Sequence, residues 1–384
     1  MTVRRVAVVH DWLDTWGGGE NVLAEILRAY PQADLFTLVD FFSDDTRRRL
    51  GGKHARTSFL QRVPGARRHF RALLPLFPRA IEGLDLRAYD LVLSSSHAVA
   101  KGVRTTAQQL HVCYCHTPMR YAWDLREEYL GPRGLSTGWR GAIVHRVLDR
   151  LREWDRASSG RVDRFIANSA FVRDRIMRSY ARDATVIHPP VDTEFFMPAT
   201  TAKADPGYYF TASRHVPYKR IDLIVAAFKT LPSRRLVVAG AGPETDRIRA
   251  AAGPNVEVVG EVPRPQLRAL LQNAQAFIFA AEEDFGILPV EAQACGTPVI
   301  ALRRGGTLET VRDLDGVDAA TGVFFDEQSV TAIAAAVTRF ESVQSSIGTA
   351  ACRANALEFS TPRFHEHYRT YVEDAWREFA GGRG

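Results

Sequence analysis

The sequence predicts an α/β protein with two consecutive domains, each built on a parallel sheet. Its 384 residues are enough for two domains of about 150 residues each. Short apolar runs alternate with amphipathic helical patterns along the whole chain, which is typical of parallel strands joined by helices. The proline pair within His188–Asp192 favours a rigid, extended linker. We therefore place the first domain at residues 1–190 and the second at residues 191–359.

The predicted elements follow in order. The first domain opens with a strand at Arg5–His10, a glycine turn and a helix from about Asn21 to Tyr30, and further strands are predicted at Ala33–Leu38, Leu91–Ser94, Leu110–Cys115 and Phe165–Asn168. The second domain has predicted strands at Tyr208–Ser213, Arg235–Gly240, Val256–Glu261, Ala276–Ala280, Pro298–Ala301 and Val323–Phe325. Its predicted helices are Asp222–Leu231, Glu244–Ala252, Gln266–Asn273, Pro289–Cys295 and Val330–Phe340, and a last helix runs from about His365 to Phe379.

The composition is that of a folded chain, with 46% hydrophobic and 24% charged residues. No stretch reaches the roughly 18 uncharged apolar residues of a membrane span. The first ten residues lack the long apolar core and the cleavage site of a signal peptide. Four cysteines are too few for a disulfide framework. We expect a cytoplasmic protein.

The positive charge is concentrated in one segment. Residues 46–81 contain ten Lys or Arg and no acidic residue, a composition that favours an anionic partner. Apolar and basic side chains alternate in its second half: Phe70, Leu73, Leu74, Leu76 and Phe77 with Arg67, Arg68, Arg71 and Arg79. This pattern suits a basic amphipathic segment on the cytoplasmic face of a membrane. A solvated helix with an ordinary core-facing side explains it equally well.

Three motifs follow predicted strands. Trp16–Glu20 places three glycines after the first strand, where a helix N-terminus could offer N–H groups to a phosphate. It is neither G-x-G-x-x-G nor a P-loop, so a simple tight turn is the alternative. Ser213–Arg220 follows a strand of the second domain, and Arg214 and Lys219 there could clamp a diphosphate. The alternative is a solvated basic turn, to which Arg220 is better suited.

The third motif, Glu282–Glu291, is the most specific. It follows a buried-strand pattern, and Pro289 suits the first turn of a helix. We expect Glu283 to stay in the loop and Glu291 to lie in that first turn, with both facing one cavity. A carboxylate can accept hydrogen bonds from two neighbouring hydroxyls, as on a ribose or a sugar. The alternative is that these acids stabilise the helix start.

In combination, these motifs resemble those of retaining, family-4 glycosyltransferases of the GT-B fold. The resemblance rests on Gly17–Glu20, on Arg214 with Lys219, and on the Glu-x7-Glu pair Glu283 and Glu291. Cys115–Asp124 is similar to a segment of bacterial O-antigen and exopolysaccharide mannosyltransferases. The resemblance covers essentially the whole chain and implies two Rossmann-like domains facing a cleft. It also implies that the C-terminal helix, within about residues 360–384, packs back on the first domain. Where many relatives have glycine, this chain has Ser213 and Arg220.

The resemblance implies roles for individual residues. Arg214 and Lys219 would hold the donor diphosphate, Glu283 the sugar and Glu291 the ribose, and His116 would lie beside the sugar. Further donor contacts would come from Gly18, Gly19, Val259, Gly260, Phe285, Gly286, Ile287 and Leu288, and acceptor-side candidates are Asp14, Tyr121 and Trp123. The implied donor is GDP-mannose and the implied acceptor a glycan or lipid-linked hydroxyl in cell-surface polysaccharide synthesis. No cofactor and no metal are implied, because Arg and Lys neutralise the leaving diphosphate. No nucleic acid is expected.

Other classes remain as alternatives. A nucleotide-sugar epimerase has the same architecture and needs no acceptor. A non-enzymatic binder of anionic surfaces would use only residues 46–81. A dinucleotide oxidoreductase is disfavoured because the glycine fingerprint fails.

Overall fold

The computed structural model describes residues 4–123, 138–200, 207–314 and 319–382. It divides the chain into two units. The first unit is formed by residues 1–188 together with 364–384, and the second by residues 189–363. The sequence prediction had placed these divisions at 190/191 and about 359/360.

The first unit is built on a seven-stranded parallel sheet with the order β3-β2-β1-β4-β5-β6-β7. Its strands are β1 Val6–His10, β2 Asp34–Thr37, β3 Arg56–Thr57, β4 Leu91–Ser96, β5 Leu110–Cys115, β6 Arg164–Ala167 and β7 Thr185–Val186. The winding direction reverses between β1 and β4, which lie side by side. In open α/β sheets, ligands bind beyond the carboxyl ends of the strands at such a reversal.

Helices cover both faces of this sheet. They are Gly18–Ala29, Asp44–Arg48, Ala66–His69, Phe77–Glu82, Arg120–Trp123, Gly138–Ser159, Ala170–Tyr180 and most of Thr361–Gly381. The last of these packs on the same core as Val6 and Val8 through Phe364, Tyr368 and Val372. Their spacing of four residues places them on one helix face, so the C-terminal helix completes the core of the first unit.

The basic segment folds differently from a continuous amphipathic helix. A 3-10 turn at Phe59–Arg62, the short helix Ala66–His69 and a 3-10 stretch at Phe70–Leu76 replace it. Phe70 and Phe77, predicted on the apolar face, are buried in the core beside Trp12. Of the two interpretations of this segment, the core-facing one is therefore confirmed for these two aromatic residues, and a membrane face that includes all five apolar residues is wrong.

The second unit repeats the topology in a six-stranded parallel sheet with the order β10-β9-β8-β11-β12-β13. Its strands are β8 Tyr208–Ala212, β9 Arg235–Ala239, β10 Val256–Gly260, β11 Phe277–Phe279, β12 Val299–Leu302 and β13 Gly322–Phe325. Its helices are Ile221–Lys229, Thr245–Ala251, Arg264–Asn273, Ile287–Ala294, Thr307–Thr310, Val330–Val343 and Thr349–Leu357. Here the winding reverses between β8 and β11, which are also neighbours. The predicted α/β class is confirmed. Among the helices of the described residues, none is long and apolar enough to cross a bilayer.

Candidate functional site

In the second unit, the two loops at the winding reversal carry the predicted charged residues. Ser213–Arg220 follows β8, and Glu282–Gly286 follows β11. Because β8 and β11 are adjacent and parallel, both loops lie at the same edge of the sheet. The candidate site of this unit is therefore where open α/β sheets bind ligands.

Lys219 and Glu283 form an ion pair between these loops. Lys219 ends a 3-10 turn at Pro217–Lys219, and its ammonium lies 6.0 Å from the centre of the Phe279 ring at the end of β11. The exposed fractions of the two side chains are 15% for Lys219 and 20% for Glu283. The pair is thus sheltered but still accessible, as a ligand-binding cation must be.

The other two cations of the first loop have different surroundings. Arg214 is exposed, and its predicted contact with a diphosphate stays a prediction. Arg220 has a φ of 55° and lies 3.6 Å from Asp222. That Arg220 belongs to a solvated turn and not to the clamp stays a prediction.

A buried histidine that sequence reasoning left without a role supports the Ser213–Arg220 loop. His215 is fully buried, and its Nδ1 lies 3.0 Å from the Thr245 hydroxyl while its Nε2 lies 3.3 Å from the Ala239 carbonyl oxygen. Since a carbonyl only accepts, Nε2 donates. Gly240, with a φ of 114°, allows the β9 loop to approach so closely that a Cβ there would lie 1.8 Å from the Ser213 carbonyl oxygen. The loop that holds Lys219 is therefore fixed to the neighbouring strand.

The Glu283 loop is supported by a glycine pair after β12 that the motif search had not singled out. The Gly306 N–H donates to the Glu283 carbonyl oxygen at 2.8 Å. A Cβ at Gly306 would lie 2.3 Å from the Phe285 Cα, and one at Gly305 would lie 2.3 Å from the Glu283 carbonyl oxygen. Only glycines permit this approach.

The helix after this loop begins earlier than expected. It runs from Ile287 to Ala294, preceded by Gly286 with a φ of 83°, whereas the sequence predicted a start at Pro289. Glu291 is consequently its fifth residue and lies in the second turn, so the expectation of a first-turn position is wrong. Phe285 is buried, and Ile287 and Leu288 are half-buried. The first-turn N–H groups have no partner within the helix and can bind an anion.

Glu291 is electrostatically unusual. Burial, together with the charge of Asp192, outweighs the charge of Arg264 and raises its pKa to about 7. A carboxyl group that titrates near neutrality is typical of functional sites. Two of the predicted donor contacts lie at the end of β10. Val259 packs against the core of this unit, and Gly260 ends the strand with a φ of 78°.

At the winding reversal of the first unit, the predicted site residues are glycines and a histidine. Gly18 and Gly19 form the first turn of the helix Gly18–Ala29, which begins three residues before the predicted start. The reason is a cap: the Gly17 N–H donates to Glu20 Oε2 at 2.8 Å, which stabilises a helix start despite its glycines.

His116 follows β5, at the same edge of the sheet. Its Nε2 lies 2.8 Å from the hydroxyl of Ser95 at the end of β4. Burial, reinforced by the charges of His97 and His10, lowers its pKa to about 3. His116 is therefore neutral at physiological pH.

The three acceptor-side candidates differ in their surroundings. Asp14 pairs with Arg71 of the basic segment at 2.7 Å. The indole N–H of Trp123 donates to the buried Asp155 at 2.8 Å, so this group is already used inside the unit. The side chain of Tyr121 lies outside the described residues. Their contact with an acceptor stays a prediction. Within the described ranges, no group of three or more His, Cys, Asp and Glu side chains is arranged to hold a metal ion.

Comparison with known proteins gives matches along the chain. The family model "Glycosyltransferase Family 4" matches residues 16–195, and "Glycosyl transferases group 1" matches residues 192–356. The GDP-mannose-dependent alpha-(1-6)-phosphatidylinositol monomannoside mannosyltransferase of Mycolicibacterium smegmatis is 31% identical over 199 residues, covering 44% of this chain and 50% of that protein. The D-inositol 3-phosphate glycosyltransferase of Mycobacterium sp. strain KMS is 32% identical over 193 residues, covering 44% of this chain and 42% of that protein. The chain thus spans half or less of the length of these curated relatives.

Solved structures share the fold at low sequence identity. Anabaena HepE in complex with UDP and glucose has a TM-score of 0.69 at 17% identity, with 97% of this chain and 100% of that chain covered. Sucrose-phosphate synthase from Thermosynechococcus elongatus has a TM-score of 0.70 at 17% identity, with 98% and 100% covered. The two parallel sheets, the strand-end motifs and the two family matches lead to one assignment: the chain belongs to the family-4 glycosyltransferases of the GT-B fold.

Proposed function

We propose that this protein transfers a sugar from a nucleoside diphosphate to a hydroxyl acceptor. The observation that carries the proposal is the sheltered pair of Lys219 and Glu283 at the winding reversal of the second sheet. A cation for a phosphate and a carboxylate for hydroxyls stand side by side at the edge where such sheets bind nucleotides. Family membership supports the same reading.

The residues of this unit suit the demands of the reaction. Negative charge builds on the β-phosphate as the glycosidic bond breaks, and preorganised donors stabilise it. Lys219, Arg214 and the first-turn amides of Ile287–Ala294 would supply those donors. A diphosphate would compete with Glu283 for Lys219, which would release the Glu283 carboxylate to accept sugar hydroxyls. Glu291 would accept from the ribose.

The donor and the stereochemistry are finer parts of the proposal. The M. smegmatis relative is a GDP-mannose-dependent mannosyltransferase, which favours GDP-mannose, whereas the HepE structure contains UDP and glucose. We propose GDP-mannose, with retention of configuration through front-side attack in which the leaving phosphate accepts the proton of the incoming hydroxyl. We expect neither a cofactor nor a metal.

The acceptor side of the proposal rests on the basic segment. Arg62, Arg67, Arg68 and Arg79 are exposed, and none forms an ion pair within the part of the chain that the structure describes. Phe59 and Leu76 lie near them in sequence with 47% and 42% of their surface exposed. We propose that this segment contacts an anionic membrane that presents a lipid-linked glycan acceptor.

A panel of nucleotide sugars tests the proposal. GDP-mannose, UDP-glucose and UDP-N-acetylglucosamine are each incubated with the protein, with and without a hydroxyl acceptor, and products are identified by mass spectrometry and NMR. Transfer that requires the acceptor and keeps the anomeric configuration supports the proposal. Conversion of the donor sugar without an acceptor would instead show an epimerase, and no turnover of any donor would contradict both.

A further inference from the structure

A chain of polar side chains in the first unit leads from a carboxylate to His116. Glu20 Oε1 lies 3.5 Å from His10 Nε2, His10 Nδ1 lies 3.1 Å from the Ser95 hydroxyl, and that hydroxyl lies 2.8 Å from His116 Nε2. The members come from the helix Gly18–Ala29 and from the ends of β1, β4 and β5. We refer to Glu20, His10, Ser95 and His116 as the relay.

The first three members of the relay are enclosed. His10 and Ser95 are completely buried, and only 7% of Glu20 is exposed, whereas His116 is half-buried. A Cβ at Gly19 would lie 3.7 Å from His10 and 3.8 Å from His116, so the helix start lies close to both rings. In such surroundings a polar atom without a partner is costly, so each ring nitrogen of His10 must be matched to a donor or an acceptor.

The donor and acceptor roles along the relay follow from the charge of Glu20. Burial raises the pKa of Glu20, but its hydrogen bond with His10 and its other electrostatic interactions with His10 and His97 outweigh this effect and hold the pKa below its ordinary value. Glu20 is therefore ionised and only accepts. When His10 carries a single ring proton, it donates from Nε2 to this carboxylate and accepts at Nδ1 from the Ser95 hydroxyl. The Ser95 oxygen in turn accepts from His116, which must carry its proton on Nε2.

We infer that Glu20, acting through His10 and Ser95, is a positioning residue that fixes His116 as the Nε2–H tautomer and leaves its Nδ1 as a hydrogen-bond acceptor. On the proposed function, on which this last step rests, the hydroxyl that donates to Nδ1 belongs to the transferred sugar. A wrong tautomer would present an N–H to that hydroxyl and lose its donated hydrogen bond.

Other charged and titratable groups face the relay. Asp11 accepts hydrogen bonds from the amides of His97, Ala98, Val99 and Ala100 and lies 3.0 Å from His97 Nδ1. The His97 ring is 5.9 Å from that of His10 and 6.3 Å from that of His116, and the Tyr114 ring is 5.2 Å from His116. Asp11 already has its own donors, so Glu20 is the carboxylate that sets the direction of the relay.

The decisive variant is Glu20→Gln. Its amide oxygen can keep the bond from the Gly17 N–H, and its NH₂ group then faces His10 Nε2. His10 must accept there and carry its proton on Nδ1, Ser95 must donate to His116, and His116 must carry its proton on Nδ1. The tautomers of both histidines invert without loss of the helix cap. Ser95→Ala instead cuts the relay and leaves His116 without a fixed tautomer.

Nitrogen-15 NMR of histidine-labelled protein at pH 8 reads these states in the absence of any substrate. The His116 signals are assigned by their loss in His116→Gln. His111 is an internal control, since its Nδ1 lies 3.1 Å from the Arg161 carbonyl oxygen and its Nε2 lies 2.8 Å from Ser94, which fixes it as the Nδ1–H tautomer in every variant.

We expect Nε2–H at His116 in the natural protein, Nδ1–H in Glu20→Gln and an unchanged His111. With a donor that is turned over, Glu20→Gln should lower kcat by about tenfold, the worth of one hydrogen bond to a neutral group, with little change in KM or melting temperature. Nδ1–H at His116 in the natural protein, or an unchanged His116 in Glu20→Gln, would overturn the inference. Inverted tautomers without turnover of any nucleotide sugar would leave the relay standing and refute the proposed function instead.

Discussion

The two sheets of this protein share a winding pattern, yet the chemistry at their reversals differs. In the first unit the strand ends carry two histidines, His10 and His116, joined by the Ser95 hydroxyl. In the second they carry a lysine paired with a glutamate. The same topology therefore positions a hydrogen-bonded histidine site in one unit and a lysine–glutamate ion pair in the other.

Burial acts in opposite directions on the titrating groups of the two units. It lowers the pKa of His116 to about 3 and raises that of Glu291 to about 7, because low polarity disfavours the charged form of each. Acid pH thus works against the first unit, in which His116 must become charged. Rising pH works against the second, in which Glu291 must ionise. The comparison shows that fold alone does not set the function of a strand end.

The largest expected effect comes from removing the lysine of the charged site. Lys219→Ala should lower turnover of the nucleotide sugar by about 10²–10³, the scale of one lost donor to a developing oxyanion. Initial rates at saturating donor measure it. Lys229→Ala removes an equal charge from an exposed position at the end of the helix Ile221–Lys229 and should leave the rate unchanged. Equal rates for both variants would show that Lys219 does not contact the leaving group.

The second-largest expected effect is a loss of nucleotide affinity. Glu291→Gln should weaken nucleoside diphosphate binding by roughly 10–100-fold, since hydrogen bonds to a charged group contribute about 1.5–3 kcal/mol. Calorimetric titration gives the affinity directly. Glu257→Gln alters an exposed carboxylate of the same unit and serves as the control. Unaltered affinity in Glu291→Gln would remove Glu291 from the ribose site.

The same variant should change stability in a pH-dependent way. The folded pKa of Glu291 is about 7 and lies above its ordinary value, so the native state binds more protons and stability falls as pH rises towards 7. Glu291→Gln abolishes that loss. We expect the variant to gain on the order of 1–3 kcal/mol in free energy of unfolding at pH 8 relative to pH 5, as measured by denaturant titration. A gain that is the same at both pH values would contradict the burial of this carboxyl group.

The smallest effect concerns the basic segment. Arg67→Ala combined with Arg68→Ala should weaken binding to vesicles that contain anionic lipid, by about 1 kcal/mol for each arginine. Sedimentation with vesicles of phosphatidylcholine alone and with added phosphatidylglycerol measures this. Arg173→Ala combined with Arg178→Ala alters two exposed arginines of the helix Ala170–Tyr180 and should leave binding as it was. If the two double variants behave alike, the basic segment is an ordinary solvated surface.

Sequence reasoning succeeded where the signal is local. Strand β5 was predicted at Leu110–Cys115, the observed bounds, because an apolar run between turn residues is a strong indication of a buried strand. The two-residue edge strands β3 and β7 were missed, since such short strands have no periodicity. The sequence left open whether Phe70 and Phe77 face the core or a membrane, because the choice depends on their packing against Trp12, which is remote in sequence.

In the candidate site too, features that are local in sequence could be predicted, and contacts between segments remote in sequence could not. The Glu283 and Lys219 motifs could be found because each follows a strand in sequence. The link between His10, Ser95 and His116 could not, because it depends on the order in which β1, β4 and β5 lie in the sheet. The glycine pair Gly305 and Gly306 was missed for a similar reason, since its partner loop is remote in sequence.

The measurement that most directly tests the central claim is the binding of a nucleoside diphosphate to the charged strand end of the second unit. GDP and UDP are titrated separately into the natural protein and into Lys219→Ala at pH 8, with heat as the readout. We expect saturable binding of at least one of them to the natural protein, and binding weakened at least tenfold in Lys219→Ala. Absence of binding to the natural protein, or undiminished affinity in the variant, would contradict it.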